Sequence, residues 1–202
     1  MEKLDLKKIY KACYSAKAES KIVEVPEIKY IAFDGKGNPN TSQDFQDAMG
    51  VLFGLAYTIK FMCKEKDKDF TVMPLEGIWW SDNMEDFTEG NKDNWKWTVM
   101  IAVPDYVDNN LFEEGRAKLD AKKEVTGLEK GYLKTFDDGL SAQLMHIGPY
   151  SEETENIEKL HAFVEEQGYR LVKKHREIYL SSPQRTAPER MKTIIRHPIE
   201  KI

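Results

Sequence analysis

Cysteine is nearly absent from this chain: Cys13 and Cys63 are the two in 202 residues, and neither sits in a paired motif. That suits reduced thiols and a cytoplasmic setting better than a disulfide framework. Long apolar runs are missing too, so no membrane-spanning segment is expected. The opening stretch MEKLDLKKIYKACYSAK has no apolar core of the kind a secretion signal carries. Basic excess is also lacking: 30 Lys and Arg stand against 35 Asp and Glu, for a net charge of −5. Nucleic acid usually demands a basic footprint, so it is not the expected partner. The four histidines, His146, His161, His175 and His197, have no metal-ligand spacing. No CxxC, HExxH or Gly-rich phosphate loop occurs, so neither metal nor cofactor is expected. What remains is a folded domain, 41% hydrophobic, whose partner is a small molecule or another protein.

The pattern along the chain repeats. Residues 4 to 17 place Leu6, Ile9, Tyr10 and Cys13 at helical spacing. From residue 23, VEVPEIKYIAFDGKGNP reads as a strand. The segment from Thr41 carries Phe45, Met49, Leu52, Phe53 and Ala56 on one stripe of a helix, opened by Thr41 and Asp44 in capping-box spacing. FTVMPLEGIWW and WKWTVMIAVP are two further strands, joined by an acidic loop over 81–94 with Asp82, Glu85, Asp86 and Glu89. That loop could steer cations or serve a partner. A charged amphipathic helix over 108–124 leads into the second half. There LSAQLMHIGPYSEE, a helix stopped by Gly168, YRLVKKHREIYLSS and MKTIIRHPI give the same order, with a short helical turn at Pro188. The expected class is α+β. Duplicated strand-helix-strand-strand modules form one antiparallel sheet with helices on one face and a ligand cleft on the other. The expected layout is an N-terminal helical segment (1–20), repeat one (21–107), a connector (108–130) and repeat two (131–202).

The third strand of each repeat puts a carboxylate beside aromatics. In LEGIWW, alternation places Glu76, Ile78 and Trp80 on one face, with Trp79 on the other; in REIYL, Glu177 and Tyr179 share a face. A carboxylate among rings loses hydration, a setting that suits general-base work and equally suits pairing with a cationic ligand. Against this stands the ordinary reading of Glu177 as a solvated acid paired with Lys174 or Arg176. Trp95 and Trp97 share a face with Val99 and Ile101, which core packing would also explain.

YIAFDGKGNPN, MPLEGIWW, WKWTVMIAVPDYV, MHIGPYSEE and the stretch from HREIYL to the C-terminal strand resemble the GyrI-like small-molecule-binding proteins. The resemblance covers almost everything after residue 20. It implies a duplicated module that binds bulky aromatic, often cationic compounds, with Glu177 matching the glutamate at the floor of the family's cleft. With no helix-turn-helix read in the sequence, the chain resembles the stand-alone branch, which includes hydrolases that open cyclopropanoid toxins. By that resemblance Glu177 is the expected base and Tyr150 orients water or a substrate oxygen. Trp80, Glu76, Tyr179, Trp79 and Trp97 are the expected ligand-binding residues. A non-catalytic drug-binding or protein-inhibiting module is the alternative.

Overall fold

The computed structural model describes residues 3–83 and 91–202. The chain groups into two compact units. Met1–Ile9, Ile28–Met73 and Trp79–Phe136 form the first; Tyr10–Glu27, Pro74–Ile78 and Asp137–Ile202 form the second. Glu85, Asp86 and Glu89 of the acidic loop lie outside the described residues. Asp82 pairs with Lys96 at 2.6 Å.

In the first unit, strand β2 (Ile28–Lys36) leads into the long helix α2 (Gln43–Glu65), and β4 (Lys96–Ala102) follows; of β3 (Leu75–Trp80), Trp79 and Trp80 belong to this unit and Leu75–Ile78 to the second. Here β4 pairs antiparallel with β2, and β2 with β5 (Tyr132–Phe136). Phe33, Val99 and Ile101 of this sheet and Val51, Leu52, Leu55 and Ile59 of α2 are all fully buried. Helix α3 (Asn109–Lys122) packs on α2, where Gly54 and Gly115 leave room for Leu119 and Ile59.

The second unit repeats the order with β6 (Gly139–Ile147), α4 (Thr154–Glu166), β8 (His175–Tyr179) and β9 (Lys192–Lys201). Its pairing repeats as well: β6 and β9 run antiparallel, as do β8 and β9. Strand β1 (Lys21–Val25) lies on the free edge of β6, and the short β7 (Tyr169–Leu171) pairs with β9. Leu160 and Val164 of α4 bury against Ala142, Leu144, Ile195 and Ile199. The fold is α+β with antiparallel pairing, as expected from sequence.

Several boundaries depart from the sequence reading, each for a local reason. Pro26, which has no N–H to give a ladder, divides the first strand into β1 and β2. Lys173, at φ 58°, turns the chain between β7 and β8. Ser42, rather than Thr41, is the N-cap of α2, and its side chain makes no cap bond. The N-terminal helix, α1, is only Leu6–Ile9.

Beyond α1 the chain runs as a strap. Gln143 donates to the carbonyls of Ala12 (2.8 Å) and Ser15 (3.3 Å), Met145 N–H to that of Lys17 (2.6 Å), and Arg196 to that of Cys13. Gln143 and Arg196 sit opposite one another on β6 and β9 and alternate with the residues that face α4. Residues 12–17 therefore cover the helix-free face of the second unit's sheet, where the sequence reading expects an open one.

Candidate functional site

Strand β8 sorts its side chains by alternation. Arg176 and Ile178 are buried, whereas His175, Glu177 and Tyr179 are half-buried on the opposite side. Glu177 lies across from Ile195, which packs on α4, so this polar trio stands on the helix-bearing face. Both carboxylate oxygens of Glu177 are held: Tyr179 O–H donates to Oε2 at 2.6 Å, and His175 Nε2 lies 3.0 Å from Oε1. The Tyr150 ring meets the Tyr179 ring edge-on, with centroids 5.5 Å apart. One connected set thus joins Glu177, Tyr179 and Tyr150, the three residues of this half that sequence singles out. It also includes His175, which sequence reasoning passes over because a lone histidine at a strand start resembles any surface residue.

Tyr150 is placed by a buried histidine. It opens a short helical turn after Gly148, whose φ of 145° few side chains tolerate. His146, 2% exposed, reaches the Pro149 carbonyl with Nε2 at 3.1 Å and meets Asn156 of α4 through Nδ1 at 2.9 Å. Carbonyl oxygen only accepts, so Nε2 carries the proton and Nδ1 accepts from the Asn156 amide. Tyr150 is 40% exposed. Partial burial, with the charges of Glu153 and Glu177 nearby, pushes its phenol pKa up and keeps it a proton donor.

Glu76 is elsewhere. It is 0% exposed, accepts from Tyr14 at 2.7 Å and from Arg176 at 3.0 Å, and Arg176 also binds Asp138 at 2.8 and 2.9 Å. Arg176 alternates with Glu177, so the two glutamates stand on opposite faces and are not brought together. The sequence offers Arg176 as a partner for Glu177; in the fold it serves Glu76 instead. Arg196 lies directly across from Arg176. Two arginines and two carboxylates thus balance in a buried cluster, closed by Gln143, which accepts from Arg196 at 2.9 and 3.1 Å.

In the first unit, Trp79 (6% exposed) meets Phe45 of α2 at 6.1 Å and Trp95 at 5.9 Å. Trp79 therefore takes the α2 side of its strand, and Trp80, half-buried, takes the other. Trp97 is fully buried, edge-on to Phe45 at 5.2 Å and stacked on Phe33 at 6.3 Å. It lies over Gly35 so closely that a methyl group there would land inside its ring. That burial leaves Trp97 no surface for a ligand and makes it the support of the cluster. Among the described residues no group of histidine, cysteine or carboxylate side chains could hold a metal ion.

The model of the GyrI-like small molecule binding domain matches residues 18–200. The chain belongs to the GyrI-like family. It is similar to the crystal structure of an uncharacterized conserved protein from Listeria innocua, at 37% identity and a TM-score of 0.92, over 98% of this chain and 100% of that one. A hydrolase from Listeria innocua is similar at 36% identity and TM-score 0.87, with the same coverage. The C-terminal domain of EcmrR shares the fold alone, at 15% identity and TM-score 0.58 over 91% of this chain and 98% of that one. No curated protein matches the sequence.

Proposed function

We propose that this GyrI-like chain hydrolyses flat, electrophilic small molecules without a cofactor, cyclopropanoid toxins being the model substrate. Glu177 would be the general base. The observation that carries the reading is the way Glu177 is held. A phenol and an imidazole fix both oxygens of a half-buried carboxylate, with the ring of Tyr150 beside them. A carboxylate fixed in this way can take a proton from water as the water oxygen bonds to the strained carbon. The carbon–carbon bond opens, and its electron pair runs into the substrate's conjugated acceptor. Charge gathers there on an oxygen to which the Tyr150 phenol can donate. Similarity to a Listeria protein called a hydrolase supports the reaction class.

Incubation with a cyclopropanoid compound, followed by mass spectrometry, should reveal a water adduct. Glu177→Gln keeps the side chain's size but removes the proton acceptor, and turnover should fall roughly 100- to 10,000-fold. Undiminished hydrolysis in that variant would remove Glu177 from the mechanism.

A non-catalytic binding role is the second reading, favoured by the family's description as small-molecule binding. Under it Glu177 is a counter-ion: Glu177→Gln weakens cationic ligands, spares neutral ones, and there is no turnover to lose. Trp80, next to Trp79 in β3, is proposed separately as an indole surface of the first unit for flat ligands. Trp80→Ala followed by ligand titration tests that assignment.

A further inference from the structure

Glu76 and Glu177 differ in what holds them. Glu76 is neutralised by a guanidinium, whereas Glu177 is held by Tyr179 and His175. What surrounds His175 decides what Glu177 presents. From β9, His197 faces it with ring centroids 6.2 Å apart, and from α4, His161 meets His197 at 5.5 Å. Among the described residues, neither His197 Nδ1 nor His161 Nε2 has a hydrogen-bond partner, and both atoms are buried. Glu158 and Glu165 act on His161 from α4 itself. Lys173 and Lys174, just before His175, are exposed, and Lys173 is bound to the carbonyls of Asp137 and Asp138. His175 thus sits between the Glu177 carboxylate and the His197 ring, with His161 beyond that ring.

We propose that His175 is the positioning residue of Glu177: its Nε2–H donates to Oε1 while Tyr179 O–H holds Oε2, and together they fix the orientation in which the carboxylate meets a cationic ligand or a proton. The inference rests on Glu177 facing the ligand, as in the preceding reading, and adds what sets the orientation of that carboxylate. His175 touches no ligand; it acts through Glu177. An arginine or lysine in its place would saturate the carboxylate, as Arg176 saturates Glu76. An apolar residue would free the carboxylate to rotate.

Two measurements on the full chain test this. Long-range proton–nitrogen NMR of the imidazoles should show a proton on Nε2 of His175. A bare Nε2 overturns the proposal. Binding is then followed with ethidium, a flat aromatic cation, and Nile red, a flat neutral dye. His175→Leu should weaken ethidium roughly tenfold and leave Nile red unchanged, while His175→Gln, which can still donate, should stay within about twofold of the parent. In a Glu177→Gln background, His175→Leu should add no further loss, which a merely structural role would not predict. If Glu177→Gln weakens ethidium and His175→Leu does not, the role of His175 is overturned while that of Glu177 stands. If Glu177→Gln has no effect on ethidium, the ligand role of Glu177 falls and this inference with it.

Discussion

At the scale of single residues, the chain uses the same side chain for two opposite purposes. Glu76 and Arg176 are an internal pair with under 2% exposure, and removing one partner of such a pair strands the other's charge. Arg176→Leu removes the guanidinium that Glu76 and Asp138 share, and urea unfolding should show a loss of about 3–5 kcal/mol. Glu177→Gln removes a half-buried carboxylate held by a phenol and an imidazole rather than by a guanidinium, and the same measurement should show a far smaller change. Gly35 gives a second contrast. Gly35→Ala drives a methyl into the Trp97 ring, and overpacking of this kind should destabilise by at least 1–3 kcal/mol. Sequence located Glu177 and Tyr179 on one face correctly, because alternation in a strand is a local property. It could not see that Arg176 belongs to Glu76, since that partner lies 100 residues away in the chain. Trp97, which the residue pattern left between core and ligand because it shares a face with Val99 and Ile101, is buried by packing on Phe45 of α2 and on Phe33.

At the scale of elements, helix starts illustrate how far a motif carries. Asp108 caps α3, accepting from Leu111 N–H at 2.8 Å, and Asp108→Ala should lower stability by about 1 kcal/mol. Ser42 stands at the start of α2 without a side-chain cap bond, so Ser42→Ala should change the urea midpoint by much less. The repeated order of strand, helix, strand, strand was legible because its helices have apolar stripes and its strands are rich in aromatic and branched residues. The edge strands β1, β5 and β7 were not: each is short and takes its identity from the strand it pairs with. The spacing of Tyr10 and Cys13 suggests a helix in the segment after α1. It is a strap because its carbonyls bind side chains of β6 and β9, a choice that no local periodicity records.

At the scale of the whole molecule, acid should find the second unit first. Burial, together with the neighbouring His175 and His161, lowers the His197 pKa from 6.5 to about 3, and burial lowers that of His161 as well. The fold therefore favours their neutral forms, while the unfolded chain takes up protons as pH drops through 6.5. Stability is full above that value and declines from about 6.5 toward 3, with His197 contributing a slope of at most roughly 1.4 kcal/mol per pH unit. Urea midpoints measured across this range should fall, and His197→Gln should flatten the curve. A flat profile in the parent chain would mean that these rings titrate normally in the fold.

The strap also has a consequence for the order of assembly. Cys13 and Arg196, which it joins, are 183 residues apart, and β1 waits for β6. During synthesis, residues 10–27 emerge early and remain without their partners until β6 has left the ribosome, and Cys13 waits longer still, for Arg196 on the last strand. Ile28–Met73 and Trp79–Phe136 meet the strands they pair with much sooner. The unit that holds Glu177 is therefore the last to close, and a chain stalled before β6 would hold residues 10–27 unprotected from proteases.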